Sequence, residues 1–476
     1  MFSLCINHAV PRFSEFSFQV PVDWKISEGE HWVVIGPNGA GKTVLIDMLQ
    51  RKIALKSGNV ELETDQEITI YQAVKSMAFR DIYSLMDCKN MYYQQRWNAT
   101  DVEEAPVVAS LLNEFPEEQV VRYTSLFEIE HLLQKRILSL SSGELRKFLI
   151  TRILMTEPHI LILDNPFIGL DVASREALDH MLVKMGEIAG LQTVLVLSNP
   201  DDIPEWIDWV LPVCQRTCLP AMKRQLFLED RILLHKLFPG LGVDQLNLPE
   251  EEKKESDYEV AVHMENIEVK YGKQIILQHI DWEVKKGEKW ALLGKNGSGK
   301  STLLSLICGD NPQAYANRLI LFGRRRGTGE SIWDIKKRIG YLSPDMHTFY
   351  LQDVPCEDVV ASGFFDSVGL YRKCNEEQKA KARAWLEIFG IAHLSYRSFV
   401  KISYGEQRLV LLGRAFVKDP ELLILDEPLH GLDVGKKHLV REVIEKFCAR
   451  KDKTMIYVTH YPHEIPSCVT LYKMLG

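Results

Sequence analysis

The chain alternates between short apolar runs and segments in which apolar residues recur at helical spacing. Strand-sized runs occupy Trp32–Ile35, residues 160–163 and residues 193–197, and each precedes a turn and a helical pattern. This alternation predicts an α/β fold with a mostly parallel sheet, whose ligands bind at the carboxyl ends of the strands. None of the runs reaches the roughly 18 residues that a membrane helix requires. We therefore expect a soluble, cytoplasmic chain that does not cross a membrane.

A long internal repeat divides the chain. The segment GEHWVVIGPNGAGKT, which ends at Thr43, recurs as GEKWALLGKNGSGKS, which ends at Ser301. LILDNPFIGLDV at residues 161–172 recurs as LILDEPLHGLDV at residues 423–434, in the same order and at nearly the same offset. Two long blocks at a fixed spacing indicate a duplicated domain. Because the charged stretch at residues 250–256 has no apolar periodicity, we predict domains at residues 1–240 and 258–476 with a linker at 241–257.

The composition indicates which cellular compartment and which classes of partner to expect. The net charge of −8 argues against a nucleic-acid partner, because phosphate neutralisation needs clustered basic residues. Nine cysteines without a CxxC pair are typical of reduced thiols in a reducing compartment. Residues 1–10 carry no basic region before an apolar stretch, so no signal peptide is expected.

Two glycine-rich segments match the phosphate-binding P-loop pattern, and each follows an apolar strand. Backbone N–H groups of such a loop surround phosphate oxygens, and the following helix contributes its positive end. Lys42 and Lys300 would reach the β- and γ-phosphates, and Thr43 and Ser301 would bind Mg²⁺. Two complete matches within one repeat argue against the alternative, a turn without function. The residues predicted to contact nucleotide are Gly36, Pro37, Asn38, Gly39, Ala40, Gly41, Lys42, Thr43, Gly294, Lys295, Asn296, Gly297, Ser298, Gly299, Lys300 and Ser301.

An aspartate ends an apolar strand downstream of each loop. Asp164 and Asp426 occupy these positions, where a carboxylate can hold the Mg²⁺ shell in the manner of a Walker B aspartate. An aspartate in a turn is the alternative for either residue taken alone. The P-loop upstream favours the metal role.

A third motif stands shortly before each of these strands. LSSGE at residues 140–144 and ISYGE at residues 402–406 each open a helix that we expect to be amphipathic. A serine and a glycine at a helix N-terminus offer a hydroxyl, N–H groups and the helix dipole to an anion. A plain helix cap is the alternative reading for Ser141 or Ser403 alone.

Together these motifs resemble those of the ABC (ATP-binding-cassette) ATPase family. The entries GEHW and GEKW and the stretch LFGRRRGTGESIWDIKKRIGYLS at residues 321–343 resemble the ModF-like subgroup, a tandem group associated with molybdenum transport and photorepair. The resemblance implies two P-loop domains, each with a mixed sheet core and a helical signature subdomain. It also implies a head-to-tail sandwich, formed within one chain as a pseudo-dimer. Each ATP would lie between the P-loop of one domain and the signature of the other.

The resemblance implies a complete hydrolytic site in the second domain. Glu427 follows Asp426, where a carboxylate polarises the attacking water, and His460 stands at the position of the switch histidine. Tyr271 would stack on adenine. Ser141 and Gly143 of the first domain would close this site.

The first site departs from the family pattern. Asn165 replaces the catalytic glutamate, and the switch position falls on Ser198, or on Asn199 with a one-residue shift. Because an amide cannot act as a general base, we predict ATP binding with very slow hydrolysis at this site. Phe13 would stack on adenine. Ser403 and Gly405 of the second domain would close the site.

The glutamine that contacts Mg²⁺ in the family also differs between the domains. Gln95, or Gln94, would serve the first domain, whereas Pro344 occupies the corresponding position in the second. Ser343 and Asp345 are the neighbours that could compensate. Nearby, six basic residues make the one concentrated basic patch of the sequence, read either as a solvated edge or as a surface for an acidic partner or membrane: Arg324, Arg325, Arg326, Lys336, Lys337 and Arg338.

Three functions fit these features. The first is an ATPase that drives a separate membrane permease, peripheral on the inner face of the membrane, with molybdate or a related oxyanion as the substrate that the resemblance suggests. The second is a soluble ATP-dependent switch that acts on ribosomes or nucleic acid. The third is a nucleotide-sensing regulator with negligible turnover.

Overall fold

The computed structural model describes residues 2–78, 106–137, 140, 142–167, 170, 172–238, 247–250, 257–272, 274–344, 346, 350, 353–367 and 372–475. By their contacts these residues form two compact units. The first unit contains the described residues of Met1–Cys88 and Ala105–Gly240, with the short segment Gly431–Gly435, and the second contains those of Leu241–His430 and Lys436–Gly476.

The first unit alternates strands and helices, as its apolar pattern predicts. Its strands are β1 Phe2–Pro11, β2 Val22–Ser27, β3 Trp32–Ile35, β4 Leu55–Thr64, β5 Val74–Ala78, β6 Ile160–Asp164, β7 Gln192–Leu197, β8 Trp209–Cys214, β9 Thr217–Cys218 and β10 Met222–Lys223. Its α-helices are α1 Lys42–Leu49, α2 Ile70–Ala73, α3 Glu117–Leu126, α4 Ser142–Leu154, α5 Val172–Ala189, α6 Arg224–Glu229 and α7 Arg231–Leu237.

A parallel sheet forms the centre of the first unit. Its strands run β8-β3-β7-β6-β5, and β9 and β10 pair antiparallel with β8. Successive residues of a strand point to opposite faces. Accordingly, Val33 and Ile35 of β3 join one apolar cluster, whereas Trp32 and Val34 join another. The sheet is therefore covered on both faces, as parallel sheets generally are.

A smaller antiparallel sheet, β2-β1-β4, completes the strand structure of the first unit. In β2, Val22, Trp24 and Ile26 are buried, whereas Asp23 and Lys25 between them are exposed. This alternation of period two is the pattern of a strand with one face on the core and one face in solvent.

The second unit repeats the arrangement. Its strands are β11 Val260–Tyr271, β12 Gln274–Lys285, β13 Lys289–Gly294, β14 Arg318–Leu321, β15 Arg324–Arg325, β16 Ile339–Leu342, β17 Leu422–Asp426, β18 Thr454–Val458 and β19 Leu471–Leu475. Its α-helices are α8 Lys300–Cys308, α9 Ile332–Lys336, α10 Cys356–Ala361, α11 Glu376–Ile388, α12 Tyr404–Phe416 and α13 Val434–Cys448.

The two parallel sheets share one strand order. The second sheet runs β16-β17-β18-β13-β19, which is the order of β5-β6-β7-β3-β8 in the first unit. In both sheets the strand before the P-loop has a parallel neighbour on each side, and the strands that end at Asp164 and Asp426 lie two places away. The carboxyl ends of these strands therefore meet at one edge, where the fold predicts a ligand. The second antiparallel sheet runs β12-β11-β14-β15.

A helical subdomain accompanies the second sheet. The helices α10, α11 and α12 pack against one another, and the Trp385 ring stacks on Phe416 with ring centroids 4.9 Å apart. The expectation of an amphipathic signature helix is wrong for α12, because Gly405 and every residue from Gln407 to Phe416 are buried. A helix that is buried on all sides belongs to the core.

Within the described part of the chain, no helix has both the length and the apolar character needed to span a membrane.

Candidate nucleotide sites

The loop before each P-loop helix is shaped by glycine. A Cβ on Gly36 would collide with the carbonyl oxygen of Val213, and a Cβ on Gly294 would collide with that of Leu475. Both carbonyl groups belong to the strand that pairs with the P-loop strand. In both loops, therefore, glycine avoids the same collision with the neighbouring strand. Gly41 and Gly299, which precede the helices, have φ angles of 106° and 91°, a left-handed conformation that favours glycine.

Each loop folds around its own lysine. The Lys42 Nζ donates to the carbonyl oxygens of Gly36 and Pro37, at 2.7 and 3.0 Å. The Lys300 Nζ donates to those of Gly294 and Lys295, at 2.7 and 2.8 Å. Burial lowers the pKa of Lys42 to about 8, against the opposing charge of Asp164. An anion in the loop would therefore stabilise the charged form of this desolvated lysine.

The remaining predicted phosphate contacts lie in these loops. The hydroxyl-bearing Thr43 and Ser301 lie in the first turns of α1 and α8, and both are exposed, as ligands to an incoming Mg²⁺ must be. The other loop residues of the prediction are Asn38, Gly39 and Ala40 in the first unit and Asn296, Gly297 and Ser298 in the second.

In the second unit, a buried carboxyl group meets a histidine. Asp426 ends β17, and the next residue, Glu427, turns through a φ of 51° while its N–H donates to the Val458 carbonyl. The Glu427 Oε1 lies 3.1 Å from the His460 Nε2, and both side chains are 9% exposed. Burial and, to a smaller extent, the charge of Asp426 raise the pKa of Glu427 to about 8, so the group can exchange a proton near neutral pH.

A buried arginine supports this site, and the sequence argument missed it. Arg408 is 2% exposed, and its guanidinium donates to the carbonyl oxygens of Ser343, Asp426 and Glu427. It thereby joins the signature helix to the strand end that carries the catalytic groups. Arg146 holds the equivalent place in the first unit and donates to the Pro166 carbonyl. An arginine two residues after the glutamate of both signature motifs was the available signal.

The equivalent place in the first unit has neither a glutamate nor a histidine. Asn165 has a φ of 50°, and its amide donates to the Asp164 Oδ1 at 2.7 Å. The short helical turns Pro200–Asp202 and Pro462–Glu464 begin two residues after Ser198 and His460, respectively. Ser198, rather than Asn199, therefore occupies the switch position.

The serine at that switch position bonds to the P-loop. The Ser198 Oγ donates to the Asn38 Oδ1 at 3.0 Å, which links the end of β7 to the phosphate-binding loop. A hydroxyl and an amide can bind phosphate oxygens, but neither accepts a proton readily. The first unit thus has the groups to hold a nucleotide and lacks a general base at the position of Glu427.

The second-unit signature motif forms a helix cap. The Ser403 Oγ accepts from the Glu406 N–H, and the Ser403 N–H donates to the Glu406 Oε2 at 2.8 Å, which is a capping box. Gly405 is buried in the first turn of α12. In the first unit, Gly143 lies on α4, and a Cβ there would be 3.0 Å from the Ser174 Oγ.

The aromatic candidates differ in exposure. The Phe13 side chain is 55% exposed, so a face is open to a base. Tyr271 ends β11 half-buried, and its hydroxyl accepts from the Asn311 amide at 2.9 Å. Several predicted residues lie outside the described part of the chain: Ser141, Gln94, Gln95 and Asp345.

The basic patch near Pro344 is smaller than the sequence suggested. Arg326 forms a buried ion pair with Glu330 at 2.7 Å, and its guanidinium lies over the Tyr315 ring. Lys336 forms another with Asp310 at 2.7 Å. These residues are structural, because a buried charge must be paired. The exposed members of the run are Arg324, Arg325 and Lys337.

Two P-loops, each accompanied by a signature helix and an aspartate-ended strand, are the features of a tandem nucleotide-binding ATPase. The family model described as ABC transporter matches residues 20–168 and 277–430, and the chain belongs to this family of ABC ATPases. It is 34% identical to the ABC transporter ATP-binding protein ModF of Escherichia coli strain K12, over 99% of this chain and 96% of that protein. It is also 28% identical to an ABC transporter ATP-binding protein of Schizosaccharomyces pombe, over 96% and 93% of the two chains.

Solved structures show the same fold. An archaeal ribosome recycling factor, aABCE1, solved with the stalk protein aP1, superposes with a TM-score of 0.53 at 18% identity and covers 98% of this chain and 87% of that one. Identity at this level reports the fold alone.

Proposed function

We propose that the second unit binds ATP with Mg²⁺ and hydrolyses it, whereas the first unit binds ATP and hydrolyses it very slowly. One observation carries the proposal. A buried Glu427 carboxyl group contacts His460 beside Asp426, whereas an amide and a hydroxyl occupy the two equivalent positions in the first unit.

Each group of the second unit has a part in the proposed reaction. Lys300 and the loop N–H groups would neutralise phosphate charge, and Ser301 and Asp426 would hold Mg²⁺. Glu427 accepts a proton from the attacking water, and His460 supports the carboxylate and reaches toward the γ-phosphate. Mg²⁺ would supply charge neutralisation between the phosphates.

We propose the two units as one intramolecular pseudo-dimer, with domains at residues 1–240 and 258–476. In that arrangement Ser403 and Gly405 close the first site, and Ser141 and Gly143 close the second. Gln95 would be a ligand to Mg²⁺ at the first site, and Phe13 and Tyr271 would stack on the two adenines. These roles follow from the family to which the chain belongs.

The proposed setting is a membrane transport complex. The relatives that cover almost the whole chain bear the name ABC transporter ATP-binding protein, which favours a separate permease as partner. The chain would then work on the cytoplasmic face of the membrane. Molybdate or a related oxyanion as cargo rests on the resemblance to ModF, and direct transport measurements decide it.

Phosphate release measures the enzymatic part of the proposal. Glu427→Gln removes the base and keeps the shape, so turnover should fall roughly 10²–10⁴-fold. Asn165→Gln is the matched control at the equivalent position, and its turnover should equal that of the wild type. Equal turnover of Glu427→Gln and the wild type would contradict the proposal, and negligible wild-type turnover would favour a nucleotide-sensing regulator.

Affinity capture tests the partner. The Glu427→Gln chain, held with ATP and Mg²⁺, should retain a membrane permease from detergent-solubilised membranes, because slow hydrolysis prolongs the ATP-bound state. The same chain with Lys42 and Lys300 replaced by alanine is the control. Retention of ribosomes instead would favour the switch hypothesis.

A further inference from the structure

The turn that carries His460 is fixed by an ion pair with the helix α13. The Lys437 Nζ, in the first turn of α13, lies 2.7 Å from the Glu464 Oε1. The Glu464 side chain is 8% exposed and that of Lys437 is 25% exposed. Because the Glu464 carboxylate is buried and paired with Lys437, the ion pair fixes the position of the turn relative to α13.

The second carboxylate oxygen of Glu464 reaches the residue before the histidine. The Thr459 Oγ1 donates to the Glu464 Oε2 at 3.3 Å and accepts from the Tyr461 N–H at 3.1 Å. The Tyr457 hydroxyl also donates to the Glu464 carbonyl at 3.1 Å. Hydrogen bonds therefore hold the backbone on both sides of His460.

The first unit contains the ion pair without the threonine. Arg175 and Asp202 occupy the places of Lys437 and Glu464, and their closest atoms are 2.6 Å apart. Leu197 stands where the second unit has Thr459, so the carboxylate has no hydroxyl to accept from at that position. The ion pair thus recurs in both units, whereas the Thr459–Glu464 bond accompanies the unit with Glu427 and His460.

We propose that Glu464 is a positioning residue, whose carboxylate holds Lys437 and Thr459 so that the His460 ring stays within hydrogen-bonding distance of Glu427. The inference rests on the proposed hydrolysis in the second unit. Misplacement of a reacting group by about 1 Å can cost as much as 10²-fold in rate, so a turn that fixes the ring affects turnover without touching ATP.

A double-mutant cycle tests whether Glu464 acts through His460. Glu464→Gln in the full chain should lower kcat roughly tenfold and leave KM for ATP within about twofold, because ground-state binding is unchanged. In a His460→Ala background the same change should lower kcat by less than about twofold, since the positioned ring is gone. An equal loss in both backgrounds, or an unchanged kcat in the first, would overturn the inference.

A second variant covers the case in which Glu464→Gln fails to fold. Thr459→Val removes the hydroxyl and leaves the ion pair, and it should reproduce the loss of kcat in the wild-type background alone. If the kcat of Thr459→Val equalled that of the wild type, the proposed role of the Thr459 hydroxyl would be contradicted.

Matched changes separate positioning from general stability. Asp202→Asn removes the equivalent ion pair from the first unit and should leave kcat unchanged. Lys437→Arg combined with Glu464→Asp copies the pair of the first unit, and it should restore kcat relative to Glu464→Asp alone. Failure of this rescue would contradict the ion-pair part of the inference.

The Glu427→Gln variant, measured in the same assay, separates a failure of the proposed hydrolytic site from a failure of the proposed positioning role. If its turnover equals that of the wild type, the proposed hydrolytic site is wrong. If its turnover falls while the cycle shows no coupling, the site stands and the positioning role is wrong.

Discussion

The buried Glu427 carboxyl group should make the protein less stable as the pH rises. Its pKa in the folded chain is about 8, against an ordinary value of 4.5, so the folded state binds the proton more tightly than the unfolded state. The stability contributed by the bound proton is complete below about pH 4.5 and is lost as the pH rises toward about 8, at a slope near 1.4 kcal/mol per pH unit. Glu427→Gln removes the titrating group and should not show this loss.

The size of the effect follows from that slope. Between about pH 5.5 and 7.5, the free energy of unfolding of the wild type should fall relative to Glu427→Gln by roughly 3 kcal/mol. For a unit of about 200 residues, this corresponds to a difference in Tm that widens by roughly 6–12 °C.

Thermal unfolding of the nucleotide-free full chain, in a chelator and at several pH values, measures this difference. Asn165→Gln is the matched control, because it changes the equivalent residue of the first unit and adds or removes no ionisable group. The difference between its Tm and that of the wild type should not change with pH. If the difference between the wild type and Glu427→Gln were also independent of pH, the carboxyl group would not titrate in this range and the argument would fail.

Three further changes test the packing and the binding sites. Arg408→Met leaves buried carbonyl groups without their donor and should cost about 2–4 kcal/mol of stability, with a parallel loss of turnover, in thermal unfolding and phosphate-release assays. Gly340→Ala places a Cβ against the Ala415 carbonyl, so the Tm of the second unit should fall by an amount equivalent to about 1–3 kcal/mol, and an unchanged Tm would contradict that packing. Phe13→Ala and Tyr271→Ala should each weaken fluorescent-nucleotide binding at one site by roughly tenfold, since a base stacked on an aromatic ring is worth about 1–3 kcal/mol.

The sequence predicts the features that local pattern determines. The strand β3 and the glycines at positions 36 and 294 are read directly from apolar runs and from the P-loop spacing, and the duplication fixes the order of the elements. The structure confirms the α/β fold, the two P-loop domains and the parallel sheets. Each of these features follows from a local apolar run or motif, although strands that pair in the sheet, such as β3 and β7, are distant in the chain.

Features that depend on distant residues were not predictable in this way. Lys336 reads as part of a basic patch, because its partner Asp310 lies 26 positions away in the chain. Arg326 has its partner Glu330 four positions away, but the burial of that pair depends on the folded surroundings. The burial of α12 on all sides likewise comes from its neighbours and not from its own period.

The ion pair that supports the turn after His460 also depends on residues that are distant in the chain. Glu464 lies 27 positions from Lys437 in the chain, and nothing in the local pattern indicates the pair. The equivalent pair in the first unit could have indicated it, because a basic and an acidic residue stand at the same two places of both repeats.

The central proposal is that the second site hydrolyses ATP quickly, whereas the first site binds ATP and hydrolyses it very slowly. A rapid-quench experiment with Mg²⁺ and radiolabelled ATP, with both sites filled and free nucleotide removed, counts the phosphates released per chain in the first turnover. The account predicts two ATP molecules bound per chain, one hydrolysed quickly and the other retained intact for many turnover times. Release of both phosphates at one rate, or hydrolysis that survives Glu427→Gln, would contradict it.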